Sequence, residues 1–386
     1  MNERRPEYQL LLDCARVSLT GERRSRMNRT IECGIDWQLF LRTAHYHGML
    51  PVVYLRLSET GVSVVPPTVM SWLRRSFQET TWRNTLLAGE LTRVLDLLAS
   101  HSIDAVPFKG PVLAALAYEN VAMRQFGDLD LLVQPHERAR TRELLLGDGY
   151  TMYDGWSHVD ELNHEYTLVG TRGGVRLDVH WKLFPRAVLP VKPDRLRQQL
   201  AEVRIGDRTV RTFSPEDTLL ILCVHADTHA WERLKWISDI ARLVTSHPGL
   251  DWAKSVEIAD STGSERILLL GLRLADDLLG AASPEQVITR ARTSRHVTRL
   301  ANTVSERLFE PAATDVEADR DKSLLQLRSR DRLWHKLWLA ATPNESDWEV
   351  MRLPGSLSAL YYVIRPFRLL RKYGRRVGSA LRDADG

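Results

Sequence analysis

Cysteine and long apolar runs are both scarce in this sequence of 386 residues. The three cysteines, Cys14, Cys33 and Cys223, are odd in number and too widely spaced for a disulfide framework or a zinc motif. No apolar run approaches the ~18 residues of a membrane span. The polar stretch Met1–Arg5 is not followed by the apolar segment of a secretory signal. We therefore expect a cytoplasmic protein without stable membrane insertion.

Acidic residues are missing from one segment near the C-terminus. Between Met351 and Arg382 there are eight basic residues and no acidic one. Without this segment the formal net charge changes from +4 to −4, so the basic character belongs to the tail and not to the body. Four interpretations stay open: the tail binds an acidic membrane surface, a nucleic acid or the acidic body, or is a plain helix packed on the protein.

Several motifs of well-known enzymes are also missing. The sequence contains neither a Walker A motif nor the catalytic-loop motif of protein kinases, which disfavours a kinase-like phosphotransferase. His225 and His229 are four residues apart, but Ala226 stands where the zinc motif H-E-x-x-H has glutamate, and no third ligand is evident. We expect histidines of a pocket or of the core here in preference to a zinc site.

The hydrophobic pattern divides the chain into helical and mixed parts. We predict a helical region over 1–85, an α/β domain over 86–213, a helical domain over 214–310, and a charged linker with a basic tail over 311–386. Apolar residues at helical spacing after Pro66-Pro67 predict one long helix or two in tandem, with Trp72 and Trp82 in the core. The fold class is α+β, a mixed β-sheet with helices flanked by mostly α-helical regions.

The middle region alternates short strands with helices. Pro111 follows Lys109-Gly110 and is well placed at the first position of a helix. The turn Thr171–Gly174 predicts a hairpin between two strands. The predicted elements are strand Ile103–Phe108, helix Val112–Tyr118, strand Leu129–Val133, helix Ala139–Leu146, and strands Tyr166–Val169 and Val175–Trp181.

Three aspartates of this region are expected to converge. Asp128 and Asp130 are two apart on a predicted strand, so both carboxylates leave the same face. Asp178, on a later strand, joins them if the two strands are neighbours. Clustered carboxylates repel unless a cation neutralises them. Upstream, Lys109-Gly110 opens a helix whose free N–H groups suit a phosphate. The set predicts a site for metal-dependent phosphoryl or nucleotidyl transfer.

This order of motifs resembles a known family. A lysine-glycine pair at a helix start, an arginine, the strand G-D-L-D-L-L-V and the later strand L-D-V-H-W are similar to the uncharacterised nucleotidyltransferase family, within the DNA polymerase β-like nucleotidyltransferase superfamily. The resemblance covers about residues 86–245. Most of the superfamily has Gly-Ser where this chain has Lys109-Gly110, which is similar to the variant in nucleotidyltransferase-like toxins of abortive-infection systems.

The resemblance implies a role for each matching residue. Asp128 and Asp130 would bind two Mg²⁺ ions, and Asp178 would share a metal and act as base on the acceptor hydroxyl. Lys109, together with Gly110 at the helix start, and Arg124 would neutralise the triphosphate.

Other residues have structural as well as functional interpretations. Arg124 is equally suited to a structural salt bridge with the aspartates' strand. Lys235 and Asp239 would complete the nucleotide pocket, as in related enzymes, or form an i,i+4 ion pair on a solvated helix.

Three histidines near the predicted site are also ambiguous. His180 is two residues from Asp178 and would either support the site or be a satisfied structural histidine. His158 and His164 lie before the strand that begins at Tyr166. They would contact the acceptor or belong to a surface loop.

Together these expectations describe a Mg²⁺-dependent nucleotidyltransferase. It would move an NMP from an NTP to an unidentified hydroxyl or phosphate acceptor (a small molecule, a peptide or RNA) and release pyrophosphate. The alternatives are a catalytically silent module that binds nucleotide or RNA and, with less support, a phosphotransferase. The sequence does not predict the oligomeric state.

Overall fold

The computed structural model describes residues 5–59, 65–118, 120–153, 164–171, 173–184 and 193–310, together with a few positions between 325 and 365. Most of the predicted linker and tail, 311–386, and His158 lie outside the described residues. No helix in the described ranges is long and apolar enough to cross a membrane.

The N-terminal region is helical, as predicted. Its helices are α1 (Pro6–Ala15), α2 (Gly21–Glu32), α3 (Trp37–Tyr46), α4 (Leu50–Glu59) and α5 (Pro67–Ser100). Helix α5 is one continuous helix of 34 residues, about 50 Å long. Pro66 and Pro67 stand at its start, where proline costs no backbone hydrogen bond.

The expectation that Trp72 and Trp82 lie in the core is wrong. Their exposed fractions are 39% and 68%. Leu73 is buried, and Trp82, nine residues later at 100° per residue, points to the opposite side of the helix. Helical spacing identified a helix but did not identify its buried face at these two positions.

A five-stranded mixed sheet forms the centre of the α/β part. Its strands are β1 (Val106–Phe108), β2 (Asp128–Leu132), β3 (Tyr150–Met152), β4 (Glu165–Gly170) and β5 (Arg176–His180). The strand order is β1-β2-β5-β4-β3; β2 and β5 are parallel and the other neighbours antiparallel. The predicted hairpin is β4–β5, and the α+β class with a mixed sheet is confirmed.

Further short elements surround this sheet. They are α6 (Gly110–Ala117), a 3-10 turn (Val121–Met123), a second 3-10 turn (Pro135–Glu137), α7 (Arg138–Gly147), α8 (Pro193–Arg197), β6 (Leu200–Ile205) and β7 (Arg208–Phe213). Strands β6 and β7 pair with each other as a separate antiparallel ribbon.

The described C-terminal part is again helical. Its helices are α9 (Pro215–Thr228), α10 (Leu234–Ser246), α11 (Trp252–Ser261), α12 (Glu265–Leu279), α13 (Glu285–Thr293) and α14 (Arg295–Arg307). Ser214 caps α9 by accepting a hydrogen bond from the N–H of Asp217. In α12, a Cβ on Gly271 would lie 2.6 Å from Sγ of Cys223, so only glycine lets these helices approach so closely.

The sheet has one apolar and one polar face. Leu129 and Leu131 of β2 pack in a core cluster with Leu87 and Leu91 of α5. The alternate positions of β2 and β5 therefore carry their charged side chains on the opposite face. A second core cluster joins the N-terminal helices to α9–α14. The predicted domain boundaries remain predictions.

Candidate active site

The register of β2 and β5 brings the predicted aspartates together. Asp130 is the direct neighbour of Asp178, and Asp128 is the neighbour of Arg176. Because alternate residues share a face, all three carboxylates leave the same side of the sheet. The position of Asp178, which the sequence left conditional, follows from the parallel pairing of the two strands.

Asp130 is buried between two basic groups. Its exposed fraction is 6%, Nζ of Lys109 lies 3.0 Å from Oδ1, and Nε2 of His180 lies 3.3 Å from the same oxygen. Burial alone would raise the pKa of this carboxyl, but Lys109 and His180 outweigh it and lower the pKa below its usual value. Asp130 is therefore ionised and compensated by the protein itself.

Asp178 is held in a different way. Oγ1 of Thr167 donates a 2.6 Å hydrogen bond to Oδ1, and Nε of Arg176 lies 3.3 Å from this oxygen. Burial is the main effect and raises the pKa of Asp178; the hydrogen bond from Thr167 opposes it, and the charge of Asp130 adds to it. Arg176 and Thr167 thus compensate the buried carboxylate of Asp178 only in part.

Asp128 lies on the same face of β2 as Asp130. The three aspartates are not among the possible metal ligands that lie within 4.8 Å of one another in the described residues; that group is His164, Glu165 and His180. Asp128 is half-buried, and no described residue forms a hydrogen bond or ion pair with its carboxylate. Oxygen ligands of this kind suit Mg²⁺, which binds through one or two carboxylates and keeps several waters. Asp128 is the register neighbour of Arg176 and not of Asp178, so of the three aspartates only Asp130 and Asp178 are direct neighbours on the sheet.

The turn from β1 into α6 has an unusual backbone at the predicted phosphate-binding position. Lys109 has φ 59° and ψ −150°, close to a region that is essentially restricted to glycine, and Gly110 has φ +44°. A Cβ on Gly110 would lie 3.3 Å from the carbonyl oxygen of Asp128. The turn therefore holds the start of α6 against β2 and places the Lys109 ammonium on Asp130.

Arg124 and Asp239 form a buried pair that closes one side of the site. Nε and Nη2 of Arg124 donate to the two carboxylate oxygens of Asp239 at 2.8 and 3.0 Å, and the hydroxyl of Tyr118 donates to the same group at 2.7 Å. Asn84 of α5 donates to the carbonyl oxygens of Val121 and Arg124, which fixes this segment. The structural partner of Arg124 is thus α10, and not the aspartates' strand.

One nitrogen of the Arg124 guanidinium has no hydrogen-bond partner among the described residues. This atom is Nη1, and it is buried. Whether Arg124 and Asp239 also contact nucleotide stays a prediction.

Lys235 is a basic residue of α10, the helix that also carries Asp239. Its side chain packs on Gly48, where an added Cβ would lie 2.9 Å from Cδ. The ammonium forms no hydrogen bond or ion pair with Asp239 or any other described residue. Burial, followed by the charge of nearby Arg124, lowers the pKa of Lys235. The alternative of a solvated ion pair with Asp239 is not what the structure shows.

His225 and His229 form an aromatic group with Trp236. The His229 ring stacks on Trp236 at 4.8 Å between centroids, and His225 meets His229 edge-on at 4.7 Å. Burial, followed by the charge of Lys109, lowers the pKa of His225 well below its usual value. The group of three possible metal ligands found among the described residues does not include these two histidines.

Two residues of the polar face were missed by sequence reasoning. Thr167 is the neighbour of Asp178, and Glu165 is the neighbour of His180. The predicted hairpin was the sequence feature that could have identified them. Once β4 is paired with β5, alternate β4 residues must lie on the same face as the aspartates. His164, expected in a loop, directly precedes Glu165, and its ring lies 6.1 Å from that of His180.

Comparison with protein families agrees with this geometry. The family model described as uncharacterised nucleotidyltransferase matches residues 34–280, and the chain therefore belongs to this family. A comparison with curated proteins gives no match. Among solved structures, the lincosamide antibiotic adenylyltransferase LnuA with bound lincomycin is similar at 18% identity. The match covers 34% of this chain and 83% of that chain, with a TM-score of 0.26.

Proposed function

We propose that this protein is a Mg²⁺-dependent nucleotidyltransferase that moves an NMP from an NTP, such as ATP, to a hydroxyl or phosphate acceptor. The observation that carries this proposal is the parallel register of Asp130 and Asp178, with Asp128 open on the same face. Membership of a nucleotidyltransferase family supports the same reaction class.

The acidic residues would hold the ions and accept a proton. Asp128, Asp130 and Asp178 would bind two Mg²⁺ ions, which neutralise charge on the phosphates and polarise the reacting oxygens when they are bound. The acceptor oxygen forms a bond to the α-phosphorus, the bond from this phosphorus to the bridging oxygen breaks, and pyrophosphate leaves. Asp178 would take the acceptor proton; burial raises the pKa of its carboxyl above the ordinary value, which makes it a stronger base.

The basic residues would bind the triphosphate. Lys109 and the backbone N–H groups at the start of α6, including that of Gly110, lie beside β2. Within the part of the chain that the structure describes, Nη1 of Arg124 and the ammonium of Lys235 have no hydrogen-bond partner. Asp239 would act through Arg124, by holding its guanidinium in place. Positive groups on this side would complement the carboxylates that would hold the metal.

The acceptor and the cellular setting are separate parts of the proposal. Small molecules, peptides and RNA all offer the hydroxyl or phosphate oxygen that the chemistry needs. The thiols of Cys14 and Cys223 are buried and free, which fits the cytoplasm, where thiols stay reduced.

Label transfer tests the proposal. The full chain is incubated with Mg²⁺ and each NTP labelled at the α-phosphate, with and without cell extract. We expect a labelled acceptor, lost on chelation and in Asp128→Asn, but retained in Asp207→Asn, a control in the exposed β6–β7 turn. A catalytically silent nucleotide-binding module would bind Mg²⁺-NTP and transfer nothing. The absence of both transfer and Mg²⁺-NTP binding would contradict both functions.

A further inference from the structure

A second group of ligand-type side chains lies on the polar face of the sheet, beside the aspartates. Nitrogen atoms of His164 and His180 and a carboxylate oxygen of Glu165 all lie within 4.8 Å of one another. Among the described residues, His164, Glu165 and His180 are the group whose ligand atoms lie close enough together to surround a single metal ion. The proposed transfer reaction assigns it no role.

Strand pairing fixes the positions of the three residues. Glu165 of β4 is the direct neighbour of His180 of β5. His164 is held at the start of β4, because its carbonyl oxygen accepts a hydrogen bond from the N–H of Trp181. The group is therefore built on the sheet itself, which makes its geometry more precise than that of a loop.

The distances match those between ligands of one metal ion. Nδ1 of His180 lies 2.7 Å from Oε2 of Glu165, and Nε2 of His164 lies 3.5 Å from the same oxygen. Ligand atoms about 2.1 Å from a metal lie about 3.0 Å apart at a right angle and about 3.4 Å apart at a tetrahedral angle. The Glu165 oxygen thus stands at ligand spacing from both nitrogens.

Nδ1 of His180 points into this group. His180 is buried, and the partner of its Nδ1 among the described residues is Oε2 of Glu165 at 2.7 Å. Nε2, the other ring nitrogen, faces Asp130 at 3.3 Å. A histidine that binds a metal through one nitrogen usually donates the other N–H to a carboxylate. His180 has both halves of this arrangement.

We propose that His164, Glu165 and His180 bind one first-row transition-metal ion of the Zn²⁺ type, separate from the Mg²⁺ ions of the aspartates. Two imidazoles and a carboxylate suit zinc, whereas Mg²⁺ prefers oxygen ligands only. Three protein ligands leave a position open for water or an acceptor oxygen. This site goes beyond the proposed function and stands without it.

Cobalt binding tests the site directly. The full chain, freed of metal with a chelator, is titrated with Co²⁺ in excess Mg²⁺, and visible absorption and equilibrium dialysis are recorded. We expect one Co²⁺ per chain, with d–d bands that Zn²⁺ abolishes. In His164→Ala and Glu165→Gln the affinity falls at least about tenfold.

The chain supplies a matched control for these variants. His136 and Glu137 are also consecutive, with Nε2 3.6 Å from Oε1, but the His136 side chain is 77% exposed. His136→Ala and Glu137→Gln should bind Co²⁺ as the wild type does. Thermal unfolding with chelator present verifies that every variant is folded.

The outcomes separate this site from the transfer reaction. Asp128→Asn should lose label transfer and keep the Co²⁺ bands. The proposal is overturned if the wild type binds no Co²⁺, if Glu165→Gln binds it equally well, or if Asp128→Asn abolishes binding. In the last case the ion would occupy the aspartate site.

Discussion

Asp128 and Asp130 are two residues apart on the same strand and face, yet their surroundings are opposite. Asp130 is buried and held by Lys109 and His180, whereas Asp128 is half-buried and has no partner among the described residues. In the proposed function, Asp130 would fix the geometry of the site as well as bind an ion, whereas Asp128 would be free to meet one.

The basic residues show the same contrast. Arg124 is paired with Asp239 through two hydrogen bonds, while Lys235 on the same wall pairs with no described residue. Asp128 and Lys235 are therefore two groups of opposite sign that have no hydrogen-bond or ion-pair partner among the described residues. We expect substitutions of compensated groups to affect folding as well as activity, and substitutions of open groups to affect activity alone.

The largest effect is expected for the two aspartates of β2. Asp128→Asn and Asp130→Asn should each reduce nucleotidyl transfer at least about 10³-fold, since both carboxylates would bind the ions. Asp130→Asn should also lower the free energy of unfolding by about 3 kcal/mol, because it leaves the buried ammonium of Lys109 without the carboxylate that pairs with it. Asp128→Asn should change it by less than about 0.5 kcal/mol. Urea unfolding and label transfer measure the two effects; equal destabilisation would remove the distinction between the carboxylates.

The basic pair provides the next comparison. Arg124→Met should destabilise the fold by about 3 kcal/mol because Asp239 would remain buried with an unpaired charge. Lys235→Met should be neutral or slightly stabilising, since burial already lowers the pKa of this lysine. It should nevertheless weaken Mg²⁺-NTP binding about tenfold, measured by calorimetry. Unchanged NTP affinity in Lys235→Met would show that its ammonium does not face the nucleotide.

Two buried histidines extend the comparison to pH. His180 has two carboxylate neighbours, whereas His47 is 1% exposed and its Nδ1 accepts a hydrogen bond from the N–H of Leu234. Burial, followed by the charge of Arg233, lowers the pKa of His47 to about 4. The unfolded chain therefore binds a proton that the folded protein does not, and folding stability falls as pH drops below about 6.5 towards 4.

The expected size of this effect is about 2 kcal/mol between pH 7.5 and pH 5. Urea unfolding at both pH values measures it. His47→Asn, which keeps an acceptor but does not titrate, is the reference, and the wild type should lose about 2 kcal/mol more than this variant. Identical losses in both proteins would show that His47 is accessible to protons in the folded state.

The smallest effect concerns the backbone of Lys109. Lys109→Ala and Lys109→Gly both remove the ammonium from Asp130, so both lose activity and stability. Because φ is 59° and ψ is −150°, glycine adopts this conformation with less strain than alanine. Lys109→Gly should therefore be about 1 kcal/mol more stable than Lys109→Ala in urea unfolding. Equal stability would mean that the turn relaxes and that no strain is held at this position.

Local sequence patterns predicted the positions of helices and strands better than they predicted which side chains are buried or paired. Pro111 after Lys109-Gly110 located the start of α6, and the period of two along β2 predicted that Asp128 and Asp130 share a face. The pair Arg124–Asp239 spans 115 positions of the chain, and no local signal reports such a contact. The exposure of Trp82 depends equally on which side of α5 meets other helices.

The same reasoning applies to the polar face. Convergence of Asp178 with Asp130 required the parallel pairing of β2 and β5, which local pattern alone does not determine. Glu165 and Thr167 required the register of β4 against β5. Chemistry that depends on one strand could thus be predicted, whereas chemistry that depends on register could not.

Helix α5 has a consequence for how the molecule unfolds. Val69 and Leu73 near its start belong to the core of the N-terminal helices, while Leu87 and Leu91 belong to the core beneath the sheet. Melting this helix therefore exposes apolar surface in both cores at once, so the two halves should denature cooperatively. A fragment that starts at residue 86 would begin in the middle of this shared helix and lack Asn84, which fixes the segment of Arg124.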